Sequence, residues 1–266
     1  MAIRAIIFDL DDTLMMDEPI SKAAFRVVGE KVLRFGAKAE DFAADCQILA
    51  HNLWSKGPHY AYCDAIGISD VECLWGNFDD AQQDSQQLRN WAFPFRETVF
   101  SIALHKQLHK SIPAIGAELS EEFGRARRKL QRLMPNAKQV LVHLHSHYCL
   151  GMVTNGASSL QREKIVTFGL EAFFKAIAIS GERGIGKPKA EIFCQLIAEL
   201  GMSPSEVIMV GNSKERDIAG AHNAGIRSIW LRIHGSEDLS PAHPHAAIST
   251  LSQLPLLIAE MNTGAQ

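Results

Sequence analysis

Two carboxylates stand two residues apart, just after a short apolar segment near the start of the chain. Asp9 and Asp11 follow the isoleucine-rich residues 3–8, in the order Asp-Leu-Asp-Asp-Thr. At this spacing one carboxylate can attack phosphorus while the other handles the proton of the leaving group. Magnesium favours carboxylate, carbonyl and water oxygens, so Asp9 can be ligand and nucleophile together. An acidic helix N-cap is the alternative interpretation of the same residues.

Polar side chains also follow a second apolar segment, residues 149–153. Thr154 and Asn155 supply a hydroxyl and an amide, and Gly156 comes next. Together with free backbone N–H groups at the start of a helix, these residues can cradle a phosphoryl group. A helix-capping turn is the alternative interpretation of the same three residues.

A lysine precedes a proline in the segment Gly-Ile-Gly-Lys-Pro, which begins at Gly184. Pro188 lacks an N–H group and is typical of the first turn of a helix. We therefore expect Lys187 to project a positive charge into the site. A solvated loop lysine is the alternative.

Asn212 and Asp217 come after the aliphatic residues 207–210. If those residues form a strand beside residues 3–8, both polar side chains can face the first acidic motif. The start of a capped helix is the alternative interpretation.

Short apolar segments alternate with helical patterns at both ends of the chain. One helical segment, residues 191–201, places its apolar side chains on one face and ends at a glycine. The alternation predicts an α/β fold with a doubly wound parallel sheet. Such sheets bind ligands beyond the carboxyl ends of their strands, where the motifs lie. The predicted strands are residues 3–8, 149–153, 176–180, 207–210 and 228–231.

The residues between the first and second motifs show helical periodicity and no convincing strand. We predict an inserted all-helical domain of residues 17–133, placed after the first strand. The core domain then comprises residues 1–16 and 134–266, and Pro135 marks the return of the chain to it.

Composition excludes several classes of protein. Of 266 residues, 47% are hydrophobic, so a sizeable core can be buried, and the formal net charge is only −3. This charge favours neither nucleic acid nor an anionic membrane as a partner. Five cysteines without paired spacing argue against a disulfide framework or a zinc ribbon. We expect no leader and no membrane span, a cytoplasmic location, and a monomer or homodimer.

Taken together and in this order, the four motifs resemble those of the haloacid dehalogenase-like (HAD) superfamily. The resemblance covers residues 3–14 and 135–257, and the insert is similar to that of the helical-cap branch. Within this branch, the insert resembles the N-acylneuraminate-9-phosphatase group of sugar-phosphate phosphatases. The resemblance implies a Rossmann-like catalytic core with an inserted helical cap domain. It also implies a small phosphorylated substrate and a Mg²⁺ cofactor.

The resemblance further implies roles for individual residues. Asp9 is expected to attack phosphorus and become an aspartyl-phosphate. Asp11 is expected to protonate the leaving oxygen and then activate water. Thr154, Asn155 and Lys187 are expected to bind the phosphoryl group. The expected magnesium ligands are Asp9, the backbone carbonyl of Asp11, Asn212 and Asp217.

Asn212 departs from the family pattern, which usually has Asp at this position. An amide oxygen can ligate magnesium but brings no charge. A unit charge beside another at 4 Å is worth on the order of 4 kcal/mol in an effective dielectric of 20. We therefore predict weaker metal binding, which water and Asp217 partly recover. The other expected role of Asp217 is to orient Lys187.

The predicted function is hydrolysis of a phosphate monoester by a magnesium-dependent enzyme. A carbon–halogen hydrolase on the same fold would not need the second carboxylate, Asp11. A phosphomutase or other phosphotransferase uses the same pair of Asp residues, and a non-catalytic phosphate-binding protein would explain Asn212. No residue of the insert identifies the substrate.

Overall fold

The computed structural model describes residues 2–233 and 241–264, and the chain divides into two compact units. The first unit comprises Met1–Met16, Arg132–Asn155 and Gln161–Gln266, and the second comprises Asp17–Gln131 and Gly156–Leu160. The predicted core includes residues 156–160, which the structure groups with the second unit, and the predicted insert includes residues 132 and 133, which it groups with the first. The predicted domain assignment stays a prediction.

Residues 17–131 of the second unit contain helices and no strand. The helices are α1 (Glu18–Val32), α2 (Ala39–Ser55), α3 (Tyr60–Ile66), α4 (Asp70–Cys73), α5 (Gln83–Leu108) and α6 (Ile115–Leu130). Aromatic rings form the centre of their common core: Phe123 of α6 lies 4.6 Å from Phe25 and 5.8 Å from Phe100, between ring centroids. Within the described residues, no helix combines the length and the apolar character that crossing a membrane requires.

Six strands form a parallel sheet in the first unit. They are β1 (Ala5–Phe8), β2 (Cys149–Thr154), β3 (Ala176–Ile179), β4 (Val207–Gly211), β5 (Arg227–Leu231) and β6 (Ala246–Ile248). Their order in the sheet is β3-β2-β1-β4-β5-β6. Phe8 pairs in register with Met152 of β2 and Val210 of β4, so the carboxyl ends of the three central strands lie side by side.

The predicted α/β fold with a doubly wound parallel sheet is confirmed. Every residue of β1 is fully buried, because its side chains point alternately into two apolar cores. Ile6 and Phe8 pack in one core, and Ala5 and Ile7 in the other. The short β6 was not among the predicted strands. It forms by pairing with β5, a contact that three residues of local sequence do not reveal.

Helices cover both faces of the sheet. They are α7 (Ala137–His145), α8 (Ser158–Thr167), α9 (Ser180–Arg183), α10 (Ala190–Leu200), α11 (Ala219–Asn223) and α12 (Leu254–Thr263). Apolar side chains of α7 and α12 lie in the core that contains Phe8, and those of α10 lie in the core that contains Ile7. A five-residue π-helix, Lys214–Ile218, leads from β4 into α11.

The helix α10 confirms its predicted face, but Pro188 does not lie in its first turn. It ends at Gly201, which has a φ of +70°, and it buries five apolar side chains, Ile192, Phe193, Leu196, Ile197 and Leu200. Pro188 was predicted to lie in the first helical turn, but it precedes the helix, because α10 begins only at Ala190. The N–H of Lys189 donates to the carbonyl of Gly186, so a separate turn holds Pro188 ahead of the helix.

The packing of Phe8 in the core around β1 leads to a prediction about the free energy of unfolding. Phe8 is buried and packs edge-on against Phe174, with ring centroids 6.4 Å apart. We expect Phe8→Ala to lower the free energy of unfolding by about 3–5 kcal/mol, because the central strand cannot collapse into the cavity. The control is Leu256→Ala, at a position that is 67% exposed, which should change it by less than about 0.5 kcal/mol. Urea unfolding measures both, and equal losses would contradict the burial of Phe8.

Candidate active site

The centre of the site is the ammonium group of Lys187, which lies between two carboxylates. Its Nζ donates to Asp9 Oδ1 at 2.6 Å and to Asp217 Oδ1 at 2.7 Å. The three residues are only 6%, 5% and 0% exposed, respectively. Asp9 directly follows β1, Asp217 lies in the π-helix after β4, and Lys187 lies between α9 and α10. Three separate segments therefore meet at one buried cluster of charges.

Burial and neighbouring charges oppose each other in this cluster. Burial raises the pKa of Asp9, Lys187 lowers it, and Asp217 raises it further, so that it stays above its ordinary value. Burial by itself would lower the pKa of Lys187, but the carboxylates of Asp217 and Asp9 raise it above its ordinary value. Lys187 is therefore charged at neutral pH. With both carboxylates ionised the cluster has one excess negative charge, which a cation can offset.

Thr13 holds the second oxygen of Asp9 and connects it to Asn212. The hydroxyl Oγ1 lies 2.8 Å from Asp9 Oδ2 and 3.1 Å from Asn212 Oδ1. It also accepts a hydrogen bond from the backbone N–H of Asn212 at 3.2 Å. Trp230 Nε1 donates to the backbone carbonyl of Asn212 at 2.9 Å. These contacts, from the loop after β1 and from β5, position Asn212 beside the charge cluster.

A glycine makes room for Asp217. The carboxylate receives Lys187 on Oδ1 and the backbone N–H of Ser213 on Oδ2, the latter at 2.9 Å. A Cβ atom at Gly211 would lie 2.3 Å from Asp217 Oδ2, far inside van der Waals contact. The last residue of β4 therefore has to be glycine for the carboxylate to reach Lys187.

Asn155 ties the end of β2 to the lysine segment. Its Nδ2 donates to the carbonyl of Lys187 at 3.0 Å, and its Oδ1 accepts from the N–H of Lys187 at 2.8 Å. A Cβ atom at Gly186 would come within 3.0 Å of the same amide. The Lys187–Pro188 peptide bond in this segment is cis. The amide thus fixes the backbone from which the Lys187 side chain extends.

Asp11 and Thr154 belong to a second group of polar side chains, arranged around Gln161. Gln161 Nε2 lies 2.8 Å from Asp11 Oδ2, 2.7 Å from Thr154 Oγ1 and 2.7 Å from the carbonyl of Asn155. Lys164 Nζ lies 2.9 and 3.0 Å from the two carboxylate oxygens of Asp11. Both α8 side chains are buried.

The structure thus places all seven predicted site residues in the first unit, in two connected clusters. Contacts join Asp9, Lys187 and Asp217 directly, and Asn212 joins them through Thr13. Asp11 and Thr154 meet at Gln161 instead. Asn155 belongs to both clusters, through its side chain and its backbone carbonyl. The roles that the sequence assigned to these residues stay predictions.

Three residues of the site were not predicted from the sequence. Thr13 was noted only as part of the acidic motif, where a threonine is equally typical of a helix cap. Gln161 and Lys164 were not singled out at all. Their signal was the three-residue spacing on the helix that follows Thr154, which puts both on one helix face.

The oxygen donors of the charge cluster fit a hydrated Mg²⁺ ion. Within residues 2–233 and 241–264, no group of three His, Cys, Asp or Glu side chains is arranged to hold a metal. Asp9 and Asp217 supply two carboxylates, and Asn212 supplies an amide oxygen. Magnesium typically binds through one or two carboxylates and keeps several waters. The donor set is therefore compatible with an ion that water helps to coordinate.

Comparisons with known proteins agree with this fold. The model of a family described as haloacid dehalogenase-like hydrolase matches residues 3–225. Phosphoserine phosphatase of Thermus thermophilus is 37% identical over 245 residues, which are 92% of this chain and 93% of the relative. N-acylneuraminate-9-phosphatase of Homo sapiens is 25% identical over 262 residues, 98% and 95% of the two chains.

A solved structure supports the fold. The HAD-hydrolase YfnB of Bacillus subtilis, in a form bound to magnesium, matches with a TM-score of 0.67. The match covers 97% of this chain and 99% of that chain at 22% sequence identity. At this identity, the likeness shows the shared fold alone.

The charge cluster predicts a pH-dependent loss of stability. We expect Lys187→Met to lower the free energy of unfolding at neutral pH by about 3–5 kcal/mol, because two buried carboxylates lose their cation. Burial raises the pKa of Asp9 above its ordinary value of 3.8, and the variant lacks the opposing ammonium. Between that value and the raised one, the native state binds more protons than the unfolded state, so stability falls as pH rises.

The deficit of Lys187→Met relative to the wild type should therefore shrink as the pH falls from about 7 to about 5. Urea unfolding at both pH values measures it. Lys175→Met is the control, since Lys175 donates to the carbonyl of Leu200 and not to a carboxylate. A deficit that stays constant with pH would contradict the proposed electrostatics.

Proposed function

Because the chain belongs to the haloacid dehalogenase-like hydrolases, we propose that it hydrolyses a phosphate monoester with Asp9 as nucleophile and Mg²⁺ as cofactor. The observation that best supports this proposal is the buried Asp9 carboxylate at the end of the central strand, which is hydrogen-bonded to Lys187 and Thr13. The phosphatases among the relatives support the predicted class, a hydrolase of phosphate esters.

In the first step, a carboxylate oxygen of Asp9 forms a bond to phosphorus, and the bond from phosphorus to the leaving oxygen breaks. Asp11, in its protonated form, gives its proton to that leaving oxygen. Asp9 then carries the phosphoryl group as an aspartyl-phosphate. Lys187 and the loop of Thr154 and Asn155 bind the phosphoryl oxygens, which offsets their negative charge.

In the second step, a water molecule attacks the phosphorus of the aspartyl-phosphate. The carboxylate of Asp11 takes a proton from this water, and the bond between phosphorus and the Asp9 oxygen breaks. Inorganic phosphate is released, and both carboxyl groups return to their starting forms. The two steps together consume one water for each ester bond.

Asp9, the backbone carbonyl of Asp11, Asn212 and Asp217 would hold the Mg²⁺ ion, which supplies positive charge to the phosphoryl oxygens. The hydroxyl of Thr13 has a single hydrogen and cannot donate it to both Asp9 and Asn212. The charged carboxylate at the shorter distance takes that hydrogen. The Asn212 amide can then turn its nitrogen to Thr13 and its oxygen to the cation.

The second carboxylate separates this proposal from its alternatives. A carbon–halogen hydrolase would not need Asp11, yet two buried side chains of α8 bind it. A phosphomutase would use the same residues and is distinguished by its products. A small phosphorylated metabolite is the proposed substrate, and phosphoserine is the first to test, given the relative from Thermus thermophilus. The cytoplasmic location and the monomeric or dimeric state stay predictions.

Replacement of the nucleophile tests the proposal. We expect Asp9→Asn to lower kcat for phosphoserine and for p-nitrophenyl phosphate by roughly 10⁴-fold or more, because an amide does not attack phosphorus. Asp12→Asn is a control in the same loop: Asn tolerates its φ of +57° and should keep at least about a third of the activity. Released phosphate measures turnover, and circular dichroism verifies folding. Equal rates for Asp9→Asn and wild type would refute the assigned nucleophile.

The neutral side chain of Asn212 leads to a separate prediction about the metal. Chelation by EDTA should abolish turnover, and added Mg²⁺ should restore it. We expect Asn212→Asp to lower the Mg²⁺ concentration for half-maximal activity by roughly tenfold, since it adds a charge next to the ion. Titration of activity with Mg²⁺ measures this effect. An unchanged Mg²⁺ requirement in the variant would remove Asn212 from the proposed ligands.

A further inference from the structure

One face of α8 holds the Asp11 carboxylate. Gln161 and Lys164 are three residues apart, so their side chains extend from the same side of the helix. Gln161 binds one carboxylate oxygen, and Lys164 lies within 3.0 Å of both. The two α8 residues are 0% and 1% exposed. Asp11 thus has a neutral and a charged hydrogen-bond donor, both fixed by burial.

Burial of the Lys164 ammonium group has a free-energy cost that packing alone does not offset. An ammonium group loses its hydration when it is buried, and an ion pair often does no better than apolar residues of the same volume. Stability alone therefore gives little reason for a lysine at this position. A lysine, unlike an apolar residue, can contact both oxygens of Asp11, as Lys164 does.

Gln161 connects the carboxylate of Asp11 to Thr154 and Asn155, which are proposed to bind the phosphoryl group. Its amide has two hydrogens, and three acceptors lie within 2.8 Å of Nε2: Asp11 Oδ2, Thr154 Oγ1 and the carbonyl of Asn155. The three acceptors share these two hydrogens, so movement of one acceptor changes the hydrogen bonds to the other two. One amide therefore couples the position of Asp11 to the position of the loop.

We propose that Gln161 and Lys164 are positioning residues for proton transfer by Asp11. They hold the carboxyl group in a fixed place relative to Thr154 and Asn155, and they do not exchange protons themselves. The proton passes from Asp11 to the leaving oxygen as the phosphorus–oxygen bond breaks. This inference rests on the proposed function, because it presupposes the role of Asp11.

The leaving group provides a specific readout. An alkoxide leaves only if it receives a proton, whereas p-nitrophenolate leaves without one. The ratio kcat/KM reports the steps up to formation of the aspartyl-phosphate and not the later attack of water. Variants that misplace Asp11 should therefore lower kcat/KM for phosphoserine much more than for p-nitrophenyl phosphate. A purely structural defect would lower both alike.

We expect Lys164→Met and Gln161→Leu each to lower kcat/KM for phosphoserine by roughly 10- to 100-fold, within the range that a placed general acid supplies. For p-nitrophenyl phosphate, the loss in Lys164→Met should be less than about threefold. Gln161→Leu also loses its bonds to Thr154 and Asn155, so its loss on this substrate should be larger, but still smaller than its loss on phosphoserine. Combining Lys164→Met with Asp11→Asn should cause no loss beyond that of Asp11→Asn alone, because Lys164 acts through Asp11. Lys164→Arg keeps the charge and should restore part of the phosphoserine activity.

Controls separate the possible failures. Lys175→Met, away from the site, should leave both substrates unaffected. Thermal unfolding shows whether Lys164→Met folds. If it does not, Gln161→Leu, which removes no charge, provides the test. Equal losses on both substrates, or additive losses in the double variant, would overturn the inference while Asp9→Asn still supports the proposed function. If the wild type turns over neither substrate, the proposed function fails and the inference fails with it.

Discussion

The site depends on one buried ammonium group that two carboxylates share. A charge removed from water is tolerated only with close partners, so Asp9 and Asp217 both have to remain within hydrogen-bond distance of Lys187. They belong to three segments that are far apart in sequence. The charge requirement therefore restrains the ends of β1 and β4 and the segment before α10 more tightly than loop packing would.

The surrounding polar groups serve this restraint. Thr13 occupies the second oxygen of Asp9, and the backbone N–H of Ser213 occupies the second oxygen of Asp217. Asn155 fixes the backbone of Lys187 at both its N–H and its carbonyl. The carboxylate oxygens of Asp9 and Asp217 thus all have partners, which avoids the cost of an unsatisfied polar group. The cluster is fixed in position and still has an excess negative charge for a cation.

The topology of the sheet explains why the residues proposed for electrostatic stabilisation and those proposed for proton transfer lie side by side. Asp9 and Asp11 follow the central strand β1. Thr154 and Asn155 lie at the end of its neighbour β2, and Asn212 follows its other neighbour, β4. The two carboxylates then bind different partners: Asp9 binds Lys187, and Asp11 binds α8. Because these environments differ, two chemically identical side chains can perform different tasks.

Local pattern was enough to predict the α/β class, the five longer strands and the buried face of α10. It also singled out seven candidate site residues, whose roles stay predictions. These features follow from residue periodicity and from polar residues placed after apolar strands, and both are visible in short stretches of chain. The pairing of Asp217 with Lys187, the bonds from Gln161 and Lys164 to Asp11, and the strand β6 required the tertiary structure. Each of them is a contact between residues distant in sequence, and such contacts depend on how the elements pack. The predicted place of Pro188 in a first helical turn was wrong, because a turn between Gly186 and Lys189 competes with the local preference of proline for that position.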